Sequence, residues 1–265
     1  MTPTRISLML FCAALSLGAL ATSAYAEPTL RTAEIGCEVA EDADALAQIA
    51  DLTTQWEQIT SAYVRGERFD YESLRANADH TALLDRIVAQ IGEASLEGRS
   101  DDERLAFLIN AYNALVVKDV LTLWPVESVL AEEGFFDGRT HTVAGQTMTL
   151  NQLENDHIRG FGEPRIHFVV NCASVSCPPL LSQALTPGNL EASMASAATA
   201  YVRAQTTHDG ASTTTSQIFE WFAQDFEAGG GVKAFLRAHL EGAPETVTAG
   251  ALTYAPYDWA LNAAP

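Results

Sequence analysis

The spacing of apolar residues predicts that the N-terminal half of this chain is mostly helical. Residues 41–62 carry leucine, isoleucine and tryptophan at intervals of three and four, which places them on one face of an amphipathic helix. Residues 81–91 repeat this pattern over a shorter length, and Gly66 interrupts the chain between the two. We therefore expect several helices in succession before the middle of the chain.

The longest apolar stripe follows in residues 105–120. Ser100 and Glu103 precede it with the spacing of a capping box, in which each side chain bonds the backbone amide of the other residue. Trp124-Pro125 marks its end, because proline lacks the amide hydrogen that a helix needs. This segment is predicted to be the principal helix of the fold.

Two asparagines, Asn110 and Asn113, lie about one turn apart at the edge of this stripe. Asparagine is a mediocre helix former, so two of them beside a core face need a specific reason. Two interpretations stay open. The amides either hold loop backbone as a buried pair or face a pocket and bind substrate.

The C-terminal half alternates between strand and helix patterns. Residues 140–143 and 213–216 have the composition of short strands. A second capping box opens a short helix at residues 149–159, which contains Glu154 and Arg159. Further helices are predicted at residues 186–203, 219–226 and 232–240. Together these elements predict an α+β fold, with a helix-rich N-terminal half packed on a small mixed or antiparallel sheet.

The densest group of reactive side chains lies in residues 163–180. Residues 166–170 are β-branched and aromatic, which predicts a short buried strand. His167 lies within this strand, and Cys172 and Cys177 follow on a loop of small residues. The odd offset from His167 to Cys172 would put them on opposite faces of a continuous strand, so they meet only if the loop turns Cys172 back.

Charge narrows the possible partners. The 265 residues include 15 basic and 34 acidic side chains, a formal net charge of −19. Nucleic acids and anionic membranes are bound by basic surfaces, so we expect neither as a partner. The length is sufficient for one large domain with a substantial core.

Residues 1–26 have the features of a cleaved export signal. Arg5 supplies the positive charge, residues 6–20 are mostly apolar, and Ala24-Tyr25-Ala26 offers the small residues of a cleavage site. We expect cleavage after Ala26, a periplasmic or secreted location, and no stable membrane insertion of the mature chain.

Six motifs follow one another along the chain in a specific order. They are residues 105–115 (LAFLINAYNAL), His141 with residues 143–145, residues 150–159, residues 164–180 (PRIHFVVNCASVSCPPL), Trp221 with Asp225-Phe226, and residues 256–262 (PYDWALN). Together they resemble the domain-of-unknown-function family DUF547 over roughly residues 45–262. The resemblance implies a single domain that is often exported in bacteria, after an extension at residues 27–44, and it implies no established activity. A likeness to papain-like or transglutaminase-like thiol enzymes is an analogy of fold alone. Asn155 departs from the family, which has a histidine after Glu154.

The clustered side chains suggest thiol catalysis, which needs a thiolate, a base, a group that orients the base, and donors for an oxyanion. The candidates are Cys172 or Cys177 as nucleophile, His167 or His141 as base, and Glu154, Asp225 or Asn110 as the orienting group. Backbone amides of residues 173–176 are the candidate oxyanion donors. The candidate substrate contacts are Asn110, Asn113, Arg159 and Asp225.

Three other roles for the cysteines stay open. A Cys172–Cys177 disulfide would be natural after export. A metal site with His141 and His167 matches zinc spacing only loosely, so we expect no metal and no cofactor. In the third role, both cysteines are buried and chemically inert. Because Cys37 makes three thiols in the mature chain, at least one is free or pairs with another molecule.

Two classes of function therefore remain. The first is an exported thiol-dependent hydrolase or acyl transferase that acts on amide or ester bonds. The second is a non-catalytic periplasmic binding or scaffold domain with structural cysteines. Either class would act on a small-molecule or peptide ligand.

Overall fold

The computed structural model describes the backbone of residues 31–209, 211–240 and 250–265, with side chains from residue 47 onward. The chain divides into two compact units, residues 1–40 and residues 41–265, and the site lies in the second. The predicted export signal and the Cys37 side chain lie outside the described residues.

The N-terminal half is helical, as the apolar spacing predicted. Its helices are α1 (Arg31–Tyr63), α2 (Tyr71–Ala76), α3 (Ala78–Glu93) and α4 (Asp101–Leu123). A hairpin of β1 (Val64–Arg65) and β2 (Arg68–Phe69) joins α1 to α2. The predicted capping box of α4 is confirmed, because the Glu103 amide donates to Ser100 Oγ and the Ser100 amide donates to the Glu103 carboxylate.

Helix α4 is the buried centre of this half. Its length and apolar composition would suffice to cross a membrane, and 83% of its most apolar stretch is buried inside the protein. Helices α1 and α3 contribute the buried side chains around it, including Trp56, Ile59 and Ile87. The helix therefore offers a rigid support for groups that project from its flank.

The middle of the chain begins with an antiparallel hairpin, β3 (Thr140–Val143) and β4 (Gln146–Thr149). Ala144 and Gly145 donate backbone hydrogen bonds to Ile91 and Gly92, which fasten its turn to the end of α3. The second predicted capping box is confirmed and opens α5 (Leu150–Gln152). A π-helical turn, Leu153–Ile158, and a 3₁₀ turn, Arg159–Phe161, continue it.

The C-terminal half combines helices with a three-stranded mixed sheet. The helices are α6 (Leu190–Gln205), α7 (Ile218–Trp221) and α8 (Val232–His239), with a 3₁₀ segment at Ala223–Gly229. Strand β6 (Ser212–Ser216) pairs antiparallel with β5 (Thr207–His208) and parallel with β7 (Ala251–Ala255). The α+β prediction is confirmed.

The predicted strand at residues 166–170 is wrong, because Pro164–Phe168 form a 3₁₀ helix. Proline fits the first helical turn, where its missing amide hydrogen is not needed, and the Glu163 carboxylate accepts the Arg165 amide at 2.9 Å. A short buried apolar run has no periodicity that separates helix from strand. The expected placement of His167 and Cys172 on opposite strand faces therefore does not apply.

Candidate functional site

Both thiols of residues 163–180 and the His167 ring line one cavity of about 170 Å³. Its walls are aromatic and apolar, with a few polar groups between them: Tyr112, Phe136, Asn151, Glu154, Val170, Pro178, Ile218, Trp221, Phe222, Tyr257 and Trp259. Typical small-molecule sites have roughly 300–1,000 Å³. The cavity therefore fits the reacting end of a ligand, with the remainder outside.

Cys172 is half-buried at the start of a tight turn. The next residue, Ala173, has φ of 59°, a left-handed conformation that side chains rarely adopt. This turn brings the Ser174 hydroxyl to 3.0 Å from Cys172 Sγ. Tyr257, from the C-terminal segment, places its hydroxyl 3.3 Å from the same sulfur. Two hydroxyl groups therefore solvate the thiol from within the protein.

These neighbours give the two thiols opposite acidities. Burial raises the pKa of Cys172, but hydrogen bonds from the Cys177 thiol and from the Ser174 and Tyr257 hydroxyls outweigh it and lower the pKa to about 7. Burial raises the pKa of Cys177 well above its ordinary value, and so does its hydrogen bond to Cys172. Burial also raises the pKa of Tyr257, so its hydroxyl stays protonated as a donor. Cys172 is the thiol that ionises near neutral pH.

His167 is held by a stacked ring and by a carboxylate. Its ring stacks on Phe222 with centroids 4.0 Å apart, and its Nε2 lies 2.7 Å from Asp225 Oδ2. Arg159 donates two hydrogen bonds of 2.7 Å to the same carboxylate. Hydrogen bonds from His167, and then from Arg159, hold the pKa of Asp225 far below its usual range. The ionised carboxylate orients the ring, and no described residue bonds its Nδ1.

Arg159 and Asp225 therefore stand behind the imidazole and are occupied with each other, although the sequence suggested that both bind substrate. Arg159 also donates to Asn155 Oδ1 at 2.6 Å, and its guanidinium lies 5.2 Å from the Phe222 ring centroid. Asn155 contributes to this support and does not line the cavity.

Glu154 and Tyr112 both lie in the cavity wall. Burial raises the pKa of Glu154, and the opposing effects of His167, Tyr112 and Arg159 do not cancel it. The π-helical turn places this carboxyl inward, and such turns are frequent at functional sites. Glu154 is a second titratable group within the cavity.

The direct Cys–His contact of a thiolate–imidazolium pair is not formed. In the part of the chain that the structure describes, no hydrogen bond joins the His167 ring to either sulfur. The two groups line the same cavity of about 170 Å³. A reacting group or a water molecule between them would complete the connection.

Of the amides of residues 173–176, the candidate oxyanion donors, three are engaged elsewhere. The Ala173 amide donates to Asn171 Oδ1 at 2.9 Å, whereas the Ser174 amide faces the Cys172 sulfur and helps to lower the pKa of that thiol. The Val175 and Ser176 amides donate to carbonyls of the C-terminal segment at 2.8 and 3.1 Å. The sequence of this loop does not indicate that its amides bond residues 258–260.

Asn110 and Asn113 hold backbone and do not line the cavity. Asn110 bonds the carbonyl and the amide of Leu185 at 2.7 and 3.0 Å. Asn113 donates to the Val169 carbonyl at 2.8 Å and accepts the Asn171 amide at 2.9 Å. The structural interpretation of the pair fits these contacts, and the substrate-binding one has no free amide to use.

His141 lies on β3 and faces Asp119 of α4, with Nε2 3.1 Å from Oδ2. Asp119 is seven residues beyond Tyr112, about 10 Å along the helix. His141 does not line the cavity, so of the two candidate bases the structure brings only His167 to the thiols.

The cysteines themselves are both free thiols, and no disulfide links Cys172 to Cys177. Among the described residues, no group of three or more His, Cys, Asp or Glu side chains is arranged to hold a metal ion.

Sequence reasoning missed the contacts that tune the thiol. Ser174, Tyr112 and Phe222 gave no separate signal, because serine, tyrosine and phenylalanine are ordinary loop and core residues. Tyr257 lies 85 residues from Cys172, and its only signal was its place in the PYDWALN segment.

Comparison with known proteins finds a family model. The model of the family described as "Protein of unknown function, DUF547" matches residues 96–202. Searches of curated proteins and of solved structures give no significant match. The matched residues include Glu154, His167, Cys172 and Cys177, whereas Asp225 and Tyr257 lie beyond them. The resemblance predicted from the sequence is confirmed over residues 96–202, where the chain is similar to this family of unknown function.

Proposed function

We propose that this protein is a thiol-dependent hydrolase or acyl transferase, with Cys172 as nucleophile and His167 as general acid and base. The observation that carries the proposal is the convergence of Cys172, whose pKa is about 7, and the Asp225-bound His167 ring on one cavity. Perturbed acidity of a thiol in a cleft supports a role in catalysis.

The hydroxyls of Ser174 and Tyr257 stabilise the Cys172 thiolate, so formation of the nucleophile does not depend on a direct contact with His167. The thiolate attacks the carbonyl carbon of an amide or ester, and a tetrahedral oxyanion forms. Attack removes the negative charge from sulfur. The two hydroxyls then become free to donate to the oxyanion, because the amides of residues 173, 175 and 176 are engaged elsewhere.

In each step, His167 exchanges a proton with the leaving group or with the attacking acceptor. It donates a proton to the leaving amine or alcohol as the thioester forms, and later takes a proton from the water or acceptor that cleaves the thioester. Asp225, bonded to Nε2, keeps the unbonded Nδ1 as the nitrogen that exchanges this proton. Arg159 is a positioning residue, because it acts through Asp225.

The walls of the cavity favour an acyl group with apolar or aromatic character. Trp221, Tyr257 and Trp259 form an aromatic cluster with ring centroids 4.7 to 5.7 Å apart. Trp221 is 44% exposed, so this cluster extends from the thiol to solvent. A ligand that packs on the cluster would bury apolar surface on binding.

Hydrolysis of p-nitrophenyl acetate by the reduced protein tests the proposal. We expect a burst of p-nitrophenolate and an acetyl group on Cys172 that hydroxylamine removes. Cys172→Ala should abolish both. His167→Ala should still acylate, and should slow release of the acetyl group by about 10²–10⁴-fold.

His80→Ala is the matched histidine control, because His80 bonds Tyr63 at 2.8 Å and does not line the cavity. It should behave as wild type. A burst that persists in Cys172→Ala would contradict the proposal, because another group would then be the nucleophile. A wild-type protein that is never acetylated would also contradict it and would favour a non-catalytic binding domain.

A further inference from the structure

The two cysteines are in contact with each other. Cys172 donates its backbone amide to Cys177 Sγ at 2.9 Å, and the Cys177 thiol donates to the Val170 carbonyl at 3.8 Å. The loop between them is closed by the Cys177 amide, which donates to the Ser174 carbonyl at 3.2 Å. The buried thiol is therefore held against the half-buried one by the fold.

The pair is also asymmetric. Cys172 is half-buried, whereas Cys177 is only 8% exposed. Cys172 ionises near pH 7, while Cys177 keeps its proton. An accessible acidic thiol attacks disulfides readily near neutral pH, and an adjacent buried thiol reacts only with the first sulfur. Acyl transfer uses one thiol only and gives Cys177 no reacting role.

We propose that Cys172 and Cys177 form a thiol–disulfide exchange pair, in which Cys172 attacks a substrate disulfide and Cys177 resolves the product. The substrate is a disulfide with a small or apolar group beside the attacked sulfur, because the cavity has aromatic walls and holds only about 170 Å³. This activity is independent of acyl transfer.

The exchange balances without a further reactant. The Cys172 thiolate bonds to one substrate sulfur and breaks the substrate S–S bond, and the other sulfur leaves as a thiolate. Cys177 then loses its proton to that leaving thiolate and attacks the Cys172 sulfur. A Cys172–Cys177 disulfide forms, and the second substrate sulfur leaves as a thiolate that takes up the proton Cys172 had lost. The protein dithiol is oxidised, and the substrate disulfide is reduced to two thiols.

Glutathione disulfide is the probe. The reduced full-length protein is incubated with it, quenched in acid, treated with N-ethylmaleimide and digested with trypsin. Residues 166–203 contain no Lys or Arg before Arg203, so both cysteines lie on one tryptic peptide that excludes Cys12 and Cys37. Mass spectrometry of this peptide reports each thiol.

In the wild type we expect the peptide to lose two hydrogen atoms and to take up no maleimide, and dithiothreitol should reverse the change. In Cys177→Ala we expect glutathione to stay on Cys172. In Cys172→Ala we expect Cys177 to remain unmodified. Circular dichroism of both variants checks that they fold.

A wild-type peptide with stable glutathione on Cys172 and a free Cys177 overturns the proposal, and so does a wild-type peptide that remains a dithiol. The wild-type protein alone is therefore sufficient to test the exchange proposal. Loss of the acetylation burst with intact exchange would reject acyl transfer and leave the exchange pair standing.

Discussion

The reactivity of Cys172 depends on the two hydroxyl groups beside its sulfur. Ser174 and Tyr257 lie 3.0 and 3.3 Å from its sulfur, and neither can hold a negative charge near neutral pH. A donor that stays protonated favours the ionised thiol, which offsets the burial of the sulfur. The candidate nucleophile was predictable from the sequence as one of two cysteines. The choice between them depends on a tyrosine 85 residues away.

Tyr257→Phe tests this cause. Loss of the hydroxyl removes a donor to the thiolate, so the pKa of Cys172 should rise above about 7 and iodoacetamide should react more slowly at neutral pH. The rate should recover toward the wild-type plateau above the new pKa. Tyr254→Phe, on β7, is the matched control and should leave the profile unchanged. If Tyr257→Phe has the wild-type profile, the Tyr257 hydroxyl does not lower the pKa of Cys172.

At the level of elements, α4 fixes the loop that holds the thiols. Asn113 bonds the Val169 carbonyl and the Asn171 amide, so the helix sets the path of the chain just before Cys172. Asn171 in turn donates to the Pro178 carbonyl at 2.7 Å and accepts the Ala173 amide. The asparagines were predictable from the sequence as misfits in a helix. Their partners were not, because those partners are loop backbone more than 50 residues away.

Asn113→Leu should leave the buried Val169 carbonyl and Asn171 amide unpaired, at a cost of about 1–3 kcal/mol for each group in the free energy of unfolding. It should also shift the alkylation profile of Cys172. Denaturant titration and iodoacetamide kinetics measure the two effects.

Asn110→Leu is the matched control, because its partner is Leu185 and not the thiol loop. It should lose stability to a similar extent while Cys172 keeps its profile. Equal effects of the two substitutions on reactivity would show that the loop does not depend on Asn113.

The error at residues 166–170 also belongs to this scale. Apolar composition indicated burial correctly, since Ile166, Phe168 and Val169 are each 1% exposed. It could not distinguish a strand from a 3₁₀ helix, and local capping by Glu163 and Pro164 decided the outcome. The long periodic segments were predictable, because their apolar spacing repeats over several helical turns, as in α4.

For the whole molecule, the site draws on segments that are distant in the chain. Tyr112 comes from α4, Glu154 from the π-helical turn, Asp225 from the 3₁₀ segment after α7, and Tyr257 from the C-terminal segment. No spacing rule connects such positions, so the constellation follows only from the tertiary fold. Because folding creates the environment of its titratable groups, their ionisation also affects the stability of the whole protein.

Glu154 is the clearest such group. Burial raises its pKa in the folded state above the ordinary value of about 4.3, so the folded protein binds this proton more tightly than the unfolded chain. Its contribution to stability is full below about pH 4 and is lost as pH rises through the folded pKa.

Glu154→Gln keeps a polar side chain of the same size and cannot ionise. Its free energy of unfolding, relative to wild type, should therefore increase between pH 4 and pH 8. Urea unfolding at several pH values measures this difference. A difference that does not change with pH would contradict the raised pKa.

The most direct test of the central claim is the rate of iodoacetamide labelling of Cys172 against pH, followed on the peptide of residues 166–203. The account predicts labelling of Cys172 alone, without added reductant, with a half-maximal rate near pH 7. Labelling that rises only with the ordinary thiol pKa of about 8.5, or that falls on Cys177, would contradict it.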